Sequence, residues 1–139
     1  MITSNFTGKV HTPGVGSHPV GVRLSYDAAT EPLAVHLTFD EGDGIEVTWV
    51  VSRELMMRGS TSLTAYGDGD IRMRYEGPQT GKLIMCFRSD EGHADVIVPQ
   101  ALVLLFLSRT ADECAVNSDD EERLVGYQID DLLAEVLGE

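Results

Sequence analysis

Twenty residues, His36 to Leu55 ("HLTFDEGDGIEVTWVVSREL"), hold five acidic side chains, a histidine, a serine and the chain's one tryptophan. Oxygen ligands at that density could hold a hard cation, and paired carboxylates could do acid–base work. A calcium loop, however, needs side-chain oxygens at alternating positions and a closing glutamate. Counting from Asp40, those alternating positions fall on Gly42 and Gly44, and strand-like segments lie on both sides. "DEGDG" instead has what a hairpin turn needs, residues that tolerate positive φ between two alternating runs.

The remaining candidates for chemistry fail on spacing. His11, His18, His36 and His93 form no HxH or HExxH pair, and His36 lies in a strand, where a satisfied structural role is expected rather than zinc ligation. Ser52 has no GxSxG elbow, and "GDGDIR" is not a phosphate loop. Cys86 and Cys114 share no CxxC spacing, and Cys86 sits in the apolar run "KLIMCF", so both are read as reduced thiols in a cytoplasmic chain. No catalytic, metal-binding or cofactor-binding set emerges, and the expectation is a protein that is not an enzyme.

The elements that position these residues follow from periodicity. "VGVRLSYD" (20–27), "LAVHLTF" (33–39) and "IEVTWVV" (45–51) alternate as half-buried antiparallel strands. "SRELMMRG" (52–59) reads as a short helix capped by Ser52 and stopped at Gly59. The pattern then returns: "TSLTAY", "DIRMRYE", "GKLIMCFRS" and "ADVIV" read as strands, and a helix over 99–108 starts at Pro99. Sliding the second half over the first by 48 residues puts Phe87 on Phe39 and a helix after each hairpin, so the plan is strands-then-helix, twice. That second helix is apolar nearly all round, through Leu104, Leu105 and Leu107. A homo-oligomer is therefore expected, with these leucines at an interface or in the core beneath it. Trp49, on an alternating strand just before the first helix, is expected in the sheet–helix core.

Charge is unevenly placed. The 139 residues carry −13, of which residues 111–139 hold −9, ten acids against Arg123 alone. Such a balance repels phosphate backbones and anionic membranes. Within a single domain of 1–139, residues 111–123 read as a solvated acidic loop. Residues 124–137 read as an amphipathic helix whose apolar stripe includes Val125, Ile129, Leu132, Leu133, Val136 and Leu137. Asp119, Asp120, Glu121 and Glu122, with Ile129, Leu132, Leu133 and Val136, are the candidate contacts for a partner or subunit. No signal peptide opens the chain, and its longest apolar run, 96–107, is too short to insert in a bilayer.

Tyr26-Asp27, "PLAVHLTF" (32–39), "VTWVVSRELMMRG" (47–59), "GDGDIRM" (67–73) and "PQALVLLFLSRT" (99–110) stand in an order and spacing that resemble the SsgA-like proteins of sporulating actinomycetes. The likeness runs from about residue 20 to 110 and resumes in the final helix. It implies a non-catalytic regulator of sporulation-specific division. Its fold would be α+β, two antiparallel sheets with helices, similar to Whirly-type and guide-RNA-binding proteins, assembled as a trimer. It also implies division proteins as partners, FtsZ for the SsgB type and an SsgA-type protein, and concentration at septa. Two features depart from the family pattern: Thr110 leads into "ADEC" instead of a proline-glycine step, and "TGKVHTPGVGSHP" makes a poor first strand. The Whirly likeness raises a rival function, single-stranded nucleic-acid binding, for which Arg72, Arg74 and Tyr75 are the one local cluster. Ten basic residues against twenty-three acids favour a protein partner instead.

Overall fold

The computed structural model describes residues 1–67 and 69–117. Four strands, β1 (Ile2–Thr12), β2 (Gly16–Tyr26), β3 (Ala34–Asp40) and β4 (Glu46–Ser52), lead into helix α1 (Arg53–Gly59). Three more, β5 (Ile71–Tyr75), β6 (Lys82–Ser89) and β7 (Gly92–Pro99), lead into helix α2 (Gln100–Asn117). The strands-then-helix plan is therefore present twice, one strand richer in its first half.

The chain does not build two sheets. All seven strands join one antiparallel sheet in the order β4-β3-β2-β1-β7-β6-β5, with the halves held together where β1 meets β7 over three pairs, Lys9–Ile97, Val10–Val96 and His11–Asp95. That narrow seam lets the sheet curl. In a flat sheet β3 and β6 would lie about 19 Å apart, four strand spacings. Yet Phe39 on β3 and Phe87 on β6 meet with ring centroids 5.2 Å apart. The broad α+β class holds; the two-sheet description does not.

β1 and the start of β2 are the elements least visible in sequence. Ile2, Phe6 and Val10 do recur on one face of β1, but Ser4 and Gly8 fill the intervening inward positions and dilute the alternation. Gly8 is needed there, because a Cβ would stand 2.8 Å from the carbonyl oxygen of Ile97 across the seam. The turn 12–16 closes with Val15 N–H donating to Thr12 O at 3.0 Å.

Further boundaries differ from the sequence reading. "TSLTAY" is no strand: it folds back along β5, with Tyr66 and Met73 exchanging backbone hydrogen bonds of 2.8 and 3.0 Å and Tyr75 N–H donating to Ser62 O. Ser52 does cap α1, its hydroxyl accepting from Leu55 N–H at 3.2 Å. Gly59 is not a left-handed stop; it is the last helical residue, and a Cβ there would meet Met73 Cβ at 2.7 Å, so it is glycine because α1 lies close on β5. Pro99 ends β7 instead of opening α2. α2 also runs past residue 108: 111–117, expected as the first part of the acidic loop, are helical, with Ala111 and Cys114 buried.

The helices fill one end of the curl. α1 touches both edge strands, β4 and β5, and α2 lies on the central pair β1 and β7. Polar contacts tie them together: Gln100 Nε2 donates to Ser60 O at 2.9 Å, and Arg53 Nε donates to Thr110 Oγ1 at 3.1 Å. α2 packs on the sheet through Val103, Leu104, Phe106 and Leu107, so one side of this apolar helix is covered within the chain. Leu104 and Leu107 are core residues, and Leu105 alone of the three faces solvent, 62% exposed.

Candidate functional site

Inward-facing side chains at the helix end of the strands, among them Ile2, Leu24, Val35, Val51, Leu83 and Val98, are buried. At the opposite end α2 gives no cover, and the inward residues there are left to one another. Val10, Val20, Phe39, Val47, Trp49, Phe87, Ala94 and Val96 line an open cleft of about 420 Å³, a size that small-molecule and side-chain sites share.

Its floor is aromatic. The Phe39 and Phe87 rings meet edge to face, and the Trp49 ring lies 5.1 Å from Phe87, tilted by 46°, geometries in which ring quadrupoles attract. Trp49 is half buried, packed against the edge of the core and lining the cleft. The expectation of a tryptophan in the sheet–helix core is thus corrected. Curling brings β4 against β6, and among the described residues no helix residue lines the cleft.

Hairpin turns frame the mouth. The β3–β4 turn is the acidic stretch "DEGDG", and its carboxylates serve the backbone: Asp40 Oδ1 accepts from Gly42 N–H at 2.8 Å and Asp43 Oδ1 from Ile45 N–H at 2.9 Å, with Gly42 and Gly44 at φ 91° and 83°. Glu41 pairs with His18 Nε2 at 3.0 Å. The β6–β7 turn adds Asp90 and Glu91, and Arg88 is the one lysine or arginine among the lining residues. Of the carboxylates in the stretch 36–55, those of Asp40 and Asp43 shape the turn and Glu41 lines the apolar cleft.

Other candidates separate in space. His36 Nε2 bonds Glu31 Oε2 at 3.1 Å and His11 Nδ1 bonds Ser17 Oγ at 2.9 Å. Among the described residues no three His, Cys, Asp or Glu gather to hold a metal. Arg72 and Arg74 lie on the outer face of β5, whereas Tyr75 alternates inward and packs on the core, so the stacking ring and the two cations part company. Cys86 faces Asp95 on the outside of the sheet, where burial first and then that carboxylate hold its thiol pKa above the usual value. The proposed partner contacts Asp119, Asp120, Glu121, Glu122, Ile129, Leu132, Leu133 and Val136 lie outside the described residues. Sequence reasoning missed the cleft itself. The signal was there in the 48-residue offset that laid Phe87 on Phe39, since two residues related by such a repeat can face each other when a sheet curls.

The site is an apolar groove with charged residues at its lip. Comparison with known proteins places the chain more narrowly. The family model described as "Streptomyces sporulation and cell division protein, SsgA" matches residues 20–121. A sporulation-specific cell division protein SsgB of Salinispora tropica is 31% identical over 125 residues, covering 88% of this chain and 85% of that one. The SsgB of Kineococcus radiotolerans is 29% identical over 92 residues, 66% of this chain and 54% of that one. A solved structure from work on SsgB mutations and longitudinal cell division during sporulation of Streptomyces coelicolor superposes with TM-score 0.69 at 30% identity, over 88% of this chain and 94% of that chain. An SsgA-like sporulation-specific cell division protein from Thermobifida fusca gives TM-score 0.74 at 27% identity, over 96% and 93%. The chain belongs to the SsgA family of sporulation and cell-division proteins, and its relatives mark it as SsgB-type. No helix among the described residues is long and apolar enough to cross a membrane.

Proposed function

We propose that the protein acts in sporulation-specific cell division as a non-enzymatic recruiter, holding division proteins by direct contact and so helping to choose where septa form. The observation that carries this is the family match over residues 20–121 to sporulation and cell-division proteins. A cleft lined mostly by apolar side chains supports the recruiting part.

On this reading the partners are the tubulin-like FtsZ and an SsgA-type protein, and the chain works in the cytoplasm, concentrated at septa. The protein assembles as a trimer; Leu105, 62% exposed on α2, and Val50, 58% exposed on β4, are apolar positions that such an assembly would cover. Asp119 to Glu122 provide long-range attraction for a basic partner segment, and Ile129, Leu132, Leu133 and Val136 provide a docking stripe.

The test is removal of the chain from its sporulating host together with a fluorescent fusion. Lost or misplaced sporulation septa and a fusion focused at septal sites are expected. Normal septation with the fusion spread evenly would overturn the reading. Co-sedimentation with purified FtsZ polymers then separates direct recruitment from an indirect effect.

A further inference from the structure

The division role leaves open what enters the cleft. We infer that it takes an apolar side chain, of leucine or phenylalanine size, from a partner segment whose flanks are basic; this deepens the recruiter reading and rests on it.

The apolar half of the inference comes from the floor and lip. Val10, Val20, Phe39, Trp49, Phe87 and Val96 form a concave apolar surface. Three more apolar side chains stay wet on the segments that frame it, Val47 at 52% exposure, Ile45 at 66% and Val15 at 73%. Single exposed aliphatics are ordinary on a protein surface, but Val47 lines the aromatic hollow itself, with Ile45 and Val15 on the neighbouring turns, which marks a place of contact.

The basic half comes from charge. Glu41 of the β3–β4 turn and Glu91 of the β6–β7 turn line the cleft, with Asp43 and Asp90 on the same turns, against the single guanidinium of Arg88 among the lining residues. A lysine or arginine flanking the anchor would be steered in by that field. The same field disfavours the two nearest competitors. Residues 118–139 of this chain carry a net charge of −7 and would meet like charge at the lip. A second copy docking mouth to mouth about a two-fold axis would set acidic turn against acidic turn.

Trp49 is the only tryptophan, so the full chain reports on its own cleft through its emission. The probes are four synthetic peptides. Three are short: one with a Leu-Phe-Leu centre and lysine flanks, one with that centre and glutamate flanks, and one with lysine flanks and a serine centre. The fourth is the sequence of residues 118–139. The expected result is a saturable blue shift with the first peptide alone, weakened roughly tenfold or more as salt rises from about 0.05 to 0.5 M, because screening shortens the reach of the acidic lip. Val47→Asp, at an exposed lip position, should abolish the shift while far-UV circular dichroism and the melting temperature stay near those of the parent.

Equal shifts with glutamate flanks, or with the serine centre, would overturn the basic or the apolar half respectively. A tighter response to the 118–139 peptide would make the tail the occupant. A shift that grows with protein concentration in the absence of peptide would make it a second copy. The deletion test scores septation without reference to the cleft. Absence of peptide binding together with lost or misplaced septa in the deletion test therefore removes this inference and leaves the division role standing.

Discussion

Phe39 and Phe87 touch edge to face at 5.2 Å although three strands, β2, β1 and β7, lie between theirs in the sheet. The pair closes the curl at the cleft end, where no helix does so. Phe87→Ala should therefore destabilise by about 3–5 kcal/mol, as expected for a buried aromatic ring. A double-mutant cycle with Phe39→Leu should return a coupling of about 0.5–1.5 kcal/mol. Chemical denaturation of the four proteins measures both, and additive effects would mean that the ring contact contributes nothing beyond area.

Trp49 lines the cleft and is only half buried. Trp49→Ala should lower stability by about 1–3 kcal/mol, less than a fully buried aromatic would, and leave a folded protein that no longer captures its partner. A loss as large as that of Phe87→Ala would put the indole in the core after all.

Arg53 is 1% exposed, stacks over the Tyr26 ring at 5.6 Å from its centroid and bonds Thr110 through Nε, while Nη1 and Nη2 have no hydrogen-bond partner among the described residues. A buried charge so sparsely met costs much of what it contributes. Arg53→Met should be close to neutral or raise the melting temperature. Thr110→Val, which takes away the partner and leaves the charge, should cost about 1–3 kcal/mol. The reverse order in thermal unfolding would show that the guanidinium is a net stabiliser.

Cys86 has its thiol pKa pushed above the ordinary value by burial and by Asp95. The thiolate is the reactive form, so alkylation by iodoacetamide near pH 8 should be slower than for a free thiol. Asp95→Asn removes the charge that opposes ionisation and should speed it. Cys114 is buried and should label only on unfolding.

Much of this architecture was legible. The alternation of β2, β3 and β4 and the Ser52 cap are strong local signals, and the structure places all of them. What escaped depends on contacts distant in sequence. Gly59 looks like a helix stop from its neighbours, and its reason lies fourteen residues away at Met73. Which side of the all-apolar α2 packs inward is set by the sheet, with Leu104 and Leu107 buried and Leu105 left exposed. One sheet instead of two hinges on three residue pairs between β1 and β7, which no periodicity encodes. The cleft needed all of these together: the curl, the end of the helix cover and the meeting of β4 with β6.

The role of this surface is tested most directly by the placement of sporulation septa in a host whose own copy is replaced by Val47→Asp. Val47 is 52% exposed at the lip of the cleft, so the variant should fold and accumulate normally. The prediction is misplaced or missing septa at parental protein levels, with Leu63→Asp, a similarly exposed site (68%) that is not among the cleft-lining residues, septating normally. Regular septation with the cleft variant would contradict the claim that this surface is where the protein does its work.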